Sequence, residues 1–155
     1  MDKIKLLDGE IIQKTYKTHW FVLLKNFLYF AGVLVFYYFV LNNSFGADVF
    51  KNFIYILVIF FIINLIKDFF IFKFNYYIIT NKRLLIKEGF FVLKETEILF
   101  SKIESINAQQ TFIEKWFNVG YISIVGTGNS ETKIFDLENN QDFKNTLSNA
   151  IRINS

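Results

Sequence analysis

Two apolar stretches separated by a short polar connection constrain this chain more than any other feature. Residues 20–41 read WFVLLKNFLYFAGVLVFYYFVL, broken only by Lys25 and Asn26 near the start. A helix needs about 20 residues to cross the hydrocarbon core of a bilayer, and this run has that length. It is too long and too aromatic for the apolar region of a signal peptide. Residues 42–52, NNSFGADVFKN, are polar turn formers. A second run follows over about 49–70, with FIYILVIFFIINLI at its centre. Together residues 20–72 read as a transmembrane helical hairpin. Lys25 lies near enough to one end for its flexible stem to carry the ammonium to the headgroups. Asn64, polar within the second run, is expected to hydrogen-bond to the first helix.

Composition agrees. Of 155 residues, 53% are hydrophobic, 20% are aromatic and 21 are Phe, more apolar surface than a soluble domain of this size can bury. The absence of Cys excludes disulfides, thiolate catalysis and thiolate metal sites. A single His excludes a multi-histidine metal centre. No cofactor is expected. The net charge of +3 suits an anionic lipid surface and is too sparse for a nucleic-acid face.

The flanks orient the hairpin. Lys3, Lys5, Lys14 and Lys17 precede it, and Lys67, Lys73, Lys82, Arg83 and Lys87 accompany its exit, whereas the connection holds only Lys51. The positive-inside rule puts both termini in the cytoplasm and the short connection outside. Residues 1–19 then form a cytoplasmic lead-in. His19 and Trp20 fall at the inner interface as aromatic anchors.

Residues 74–155 read as a cytoplasmic domain of short strands. Strands are expected over 75–80, 83–88, 94–100, 103–108, 121–125 and 132–138, punctuated by Asn81–Lys82, Gly89, GTGNS and Asn139–Asn140. Thr111 followed three residues later by Glu114 is a capping-box pattern. A short helix over 112–117 should bury Ile113, Trp116 and Phe117. Phe143, Leu147 and Ile151 recur at helical spacing, so a final amphipathic helix should cover the sheet, with Phe143 and Leu147 in the core. Strands followed by one helix give an antiparallel barrel or sandwich with a helical lid. The fold class is membrane-anchored α+β.

Catalytic constellations are missing from the sequence. GTG at 126–128 sits between strands and lacks the strand-to-helix setting of a phosphate loop. Glu95 and Glu97 share what alternation makes a solvent face. Ser101, Ser105 and Ser123 have no neighbouring His to activate them. A non-enzymatic role follows. Lys73, Lys82, Arg83 and Lys87 are the candidate contacts for lipid headgroups, each contributing about 1 kcal/mol of attraction to an anionic surface.

YYIITNKRLLIKEG, EILFSKIESINAQQ and GYISIVGTG, in that order, with the Phe143–Leu147 helix and GEIIQKTYKTHWFVLL before the spans, resemble the bacterial pleckstrin-homology-like family of small membrane proteins (YdbS/YdbT-like, bacterial PH domain type 2). Thr18 stands where Pro often precedes HW, and Lys115 where Arg is common. The resemblance implies a bent antiparallel barrel closed by a C-terminal helix. It implies links to envelope stress and bacteriocin resistance, and genes beside those of related PH-like proteins. It does not imply phosphoinositide binding. The expected partners are membrane lipids and a second copy or a related PH-like membrane protein, in a homo- or hetero-oligomer. The competing expectation is an anionic-lipid sensor using the basic juxtamembrane hairpin.

Overall fold

The computed structural model describes residues 6–42, 47–89, 92–128 and 130–154. Strand β1 (Ile12–Lys17) leads into helix α1 (Phe21–Asn42). Helix α2 (Ala47–Phe74) returns and is followed at once by β2 (Tyr76–Thr80), β3 (Arg83–Glu88) and β4 (Lys94–Leu99). A single 3-10 turn (Phe100–Lys102) passes the chain to β5 (Ile103–Gln109). Helix α3 (Phe112–Trp116), β6 (Val119–Gly126), β7 (Ser130–Glu138) and helix α4 (Asn140–Asn154) complete it. The tip of the hairpin at 43–46 lies outside the described residues.

The two helices meet the sequence expectation closely. Phe21–Phe39 and Tyr55–Phe74 are long and apolar enough to cross a membrane. Only 6% of each window is buried within the chain, which a core helix of a soluble domain would not show. The helices pack on each other, with the Phe30 and Phe61 rings stacked at a centroid separation of 3.7 Å.

All strand pairings are antiparallel, in two sheets ordered β1-β2-β3-β4 and β5-β6-β7. The sheets do not close into a barrel, although a bridge from Thr18 to Leu137 links the end of β1 to β7. Alternation builds the core between them. Tyr77 and Ile79 of β2, Leu84 and Ile86 of β3, Ile122 and Ile124 of β6, and Ile134 and Leu137 of β7 point inward. From α4, Phe143, Leu147 and Ala150 enter the same cluster at helical spacing. Phe143 and Leu147 are fully buried. Complete burial of a large apolar side chain contributes about 1.5–3 kcal/mol, so this cluster dominates the stability of the domain.

One strand was hidden in the sequence. Residues 12–17, IQKTYK, were expected as a polar lead-in, yet they pair with β2 along its length, from Ile12–Thr80 to Lys17–Tyr76. Only Tyr16 of this strand is buried. Its ring packs edge-on to Phe143 at 5.0 Å, and its hydroxyl donates to Asp142 Oδ2 at 2.6 Å. The domain therefore takes strands from both sides of the helical hairpin. Topologically, α1 and α2 are an insertion between two paired antiparallel strands. No linker separates helix from sheet: Phe74 ends α2 and Tyr76 begins β2.

Candidate functional site

The turn at Asn81–Lys82 lies between β2 and β3, which pair from Tyr76–Lys87 to Ile79–Leu84. Since Tyr76 follows α2 directly, the turn is at the far end of these strands, about 16 Å from the helices at 3.3 Å per residue. The basic tip expected at the headgroups thus points away from them. The order Lys73–Lys87 at one end and Lys82–Arg83 at the other divides the candidate headgroup residues into two separated pairs.

Nor is Arg83 available. It is 5% exposed, and its Nε and Nη2 donate to Glu10 Oε1 and Oε2, both at 2.9 Å. Its Nη1 donates to Glu97. Thr80 Oγ1 donates to Glu10 Oε1 at 2.8 Å, and the Leu7 amide donates to Glu10 Oε2 at 2.7 Å. The Arg83 hydrogen bonds hold the Glu10 carboxyl down to about 2 against the opposing effect of burial. Lys82 Nζ donates to the Asp8 carbonyl at 2.7 Å, and the Asn81 side chain bonds to Ile11 N and Gly9 O. The segment before β1 is clamped over the basic turn. These residues are a structural lock. Sequence spacing could not reveal it, because Glu10 and Arg83 are 73 positions apart.

Lys87 is also engaged, with Nζ donating to Glu95 Oε1 at 2.6 Å. Lys73 is exposed and lies over the rings of Phe69 and Phe74 on its own helix.

The junction between helices and sheets is where the unexpected chemistry gathers. Lys25, expected to reach for headgroups, turns into the domain instead. Its Nζ donates to Glu114 Oε1 at 2.8 Å and to Asp136 Oδ1. Both carboxylates are largely buried, at 15% and 13% side-chain exposure, so the ammonium sits where water competes weakly. Glu114 also accepts from the Thr111 amide at 3.0 Å while its own amide donates to Thr111 Oγ1, completing the expected capping box. Asp136 has a positive φ of 51°, and its carbonyl accepts from the His19 amide at 2.7 Å. His19 Nδ1 accepts from the Phe21 amide at 3.1 Å, satisfying one of the orphan donors at the start of α1. Burial lowers the His19 pKa, against the pull of Glu138 and Asp136. The His19 and Trp20 rings lie 5.4 Å apart, and Trp20 meets Phe117 edge-on at 5.8 Å.

Helix α3 corrects one expectation. Trp116 is 76% exposed and is not part of the core, and Phe112 and Ile113 are exposed with it. Phe117 turns inward, but onto Phe21 of α1, with ring centroids 4.8 Å apart, and not into the cluster between the sheets. A five-residue helix presents too narrow a stripe to bury both faces, and contact with α1 claimed the Phe117 side. Asn64 departs as well: its Nδ2 donates to the Phe60 carbonyl of its own helix at 2.8 Å. A polar contact between the helices comes instead from Asn26, which donates to Asp68.

Two open surfaces bear on function. Between α1 and α2 near the junction runs a groove lined by Trp20, Leu24, Phe27, Ile66 and Phe69, without the convergent polar groups of a substrate site. Strand β4 stands at the end of its sheet, paired only to β3, with most of its residues exposed. Among the described residues no group of three His, Asp or Glu side chains gathers in a way that could hold a metal ion.

Two apolar helices running without a break into two antiparallel sheets and a C-terminal helix define a membrane-associated PH-like domain. Residues 22–151 match the bacterial PH domain, and the chain belongs to that family. No curated protein and no solved structure matches it.

Proposed function

We propose that this protein is a non-enzymatic, multi-pass inner-membrane protein with both termini in the cytoplasm, which holds its PH-like domain rigidly against the membrane and presents an open sheet edge to a second copy or a related PH-like protein. The process implied by the resemblance is envelope stress or bacteriocin resistance. The observation that carries the assembly reading is β4. It pairs on one side only, which leaves a row of backbone N–H and C=O groups for another chain to extend. Free charge on an edge strand normally discourages such pairing, but Glu95 and Glu97 are both engaged across the sheet, by Lys87 and Arg83. The orientation rests on the Lys and Arg excess that flanks the hairpin opposite its connection.

The lipid-sensor alternative loses support from the buried Arg83 and from the distance between the basic turn and the helices. The two readings separate in a salt series on the full-length protein in detergent. Strand pairing survives added salt, whereas headgroup attraction is screened within about 8 Å at physiological ionic strength. An oligomer that persists across the series supports assembly. A strictly monomeric protein whose detergent-free binding of phosphatidylglycerol is abolished by Lys73→Glu/Lys82→Glu would overturn it.

A further inference from the structure

We infer that the domain carries a second, peripheral membrane contact: an apolar collar of Phe112, Ile113 and Trp116 on α3, with Val92 and Leu93 in the β3–β4 connection, that dips into the interface of the leaflet the helices enter. The inference rests on the reading that α1 and α2 span the bilayer. Each of these five side chains is at least 60% exposed.

Their placement selects the occupant. Helix α3 is held abreast of α1 by the Lys25–Glu114 ion pair and by Phe117 on Phe21. Lys25 is four residues into α1, about 6 Å along its axis. The apolar window of α1 begins at Phe21, the residue Phe117 meets, so α3 lies beside the start of the span. The end of β3 reaches the base of α2. Glu88, the last residue of β3, is one position beyond Lys87, the partner of Tyr76, and the Gly89 amide donates to Asn75 Oδ1 at 3.1 Å. Asn75 is the residue that immediately follows α2. The two apolar patches thus flank the bases of both helices, continuous with the lipid-facing surface.

The side chains suit that depth. Phe112 and Trp116 lie one turn apart with rings at 5.4 Å, forming one aromatic surface, and exposed Lys115 stands between them in sequence. An aromatic body with a polar tip favours the headgroup level of a bilayer. A protein partner would leave this surface free in the monomer at membrane depth, where lipid is already present and needs no recruitment.

The chain has two Trp residues, so Trp20→Phe leaves Trp116 as its only indole. Full-length Trp20→Phe protein in phosphatidylcholine–phosphatidylglycerol vesicles is measured with a nitroxide on the upper part of the acyl chain, and separately with aqueous iodide. The collar predicts loss of most Trp116 emission to the lipid nitroxide, a blue-shifted spectrum and weak quenching by iodide. A second variant, Trp20→Phe/Trp116→Phe/Phe60→Trp, reports the span itself through a nitroxide near the chain terminus. Quenching at position 60 with water-like, iodide-sensitive emission from Trp116 would overturn the collar alone. No quenching at position 60 would overturn the spanning reading and the collar with it.

Discussion

Lys25 in the second turn of α1 and Glu114 in α3 stand 89 residues apart in the chain and 2.8 Å apart in space. With Asp136 as the second acceptor, this contact welds the first apolar helix to the end of β7. Removing the ammonium strands two poorly hydrated carboxylates. Lys25→Met should therefore lower the stability of the full-length protein by about 1–3 kcal/mol. A double-mutant cycle with Glu114→Gln, read from denaturant unfolding in detergent, should give a coupling of about 0.5–3 kcal/mol. A coupling near zero would mean that Lys25 reaches lipid instead.

Acid should open the clamp over the basic turn. The Glu10 carboxyl is held from 4.5 to about 2 in the fold, so the unfolded chain takes up its proton first as pH falls. The stabilisation is complete above about pH 4.5 and drains away toward pH 2. Asp142, lowered by Lys14 and Tyr16, responds in the same direction. Glu10→Gln should abolish most of the acid dependence in this window and release amide protection at Leu7 and Ile11, which hydrogen exchange can follow.

His19 titrates alone, because it is the only histidine in the chain. Burial lowers its pKa below 6.5, and protonation would remove the Nδ1 acceptor from the Phe21 amide. Stability from this group is present above about pH 6.5 and is lost as pH falls through the lowered value. Proton NMR of the imidazole in micelles should show a midpoint below the ordinary value. A midpoint above it would place His19 under the control of Asp136 and Glu138.

Most elements were legible because their signals are local. Alternation around Ile122–Ile124, Leu84–Ile86 and the Phe143–Leu147 spacing marks a buried face directly. The capping box at Thr111 and Glu114 closed as its spacing implied. What escaped was long-range. Strand β1 buries a single side chain, Tyr16, and has no apolar alternation to betray it. Arg83 and Lys25 looked like free cations because their carboxylate partners lie far off in sequence. Trp116 looked like core because a large aromatic in a capped helix usually is, and nothing local told which face of α3 would meet α1.

Two aromatic truncations should therefore behave in opposite ways. Phe143→Ala removes a fully buried ring from the cluster between sheets and α4, and should cost about 3–5 kcal/mol. Trp116→Ala touches an exposed side chain and should fall within about 0.5 kcal/mol of the parent in detergent. Equal losses in thermal unfolding would return Trp116 to the core.

The account stands on the pairing of β1 with β2 across the helical hairpin, which leaves the domain no hinge on its helices. The native chain has no Cys, so Tyr29→Cys on α1 and Ser105→Cys on β5, both exposed, accept one spin label each. The pulsed electron–electron resonance distance between them, measured in nanodiscs, should be a single narrow distribution that broadens when Lys25→Met is added. A broad or multimodal distribution in the parent protein would show a domain that swings on its tether, and would contradict a rigid mount.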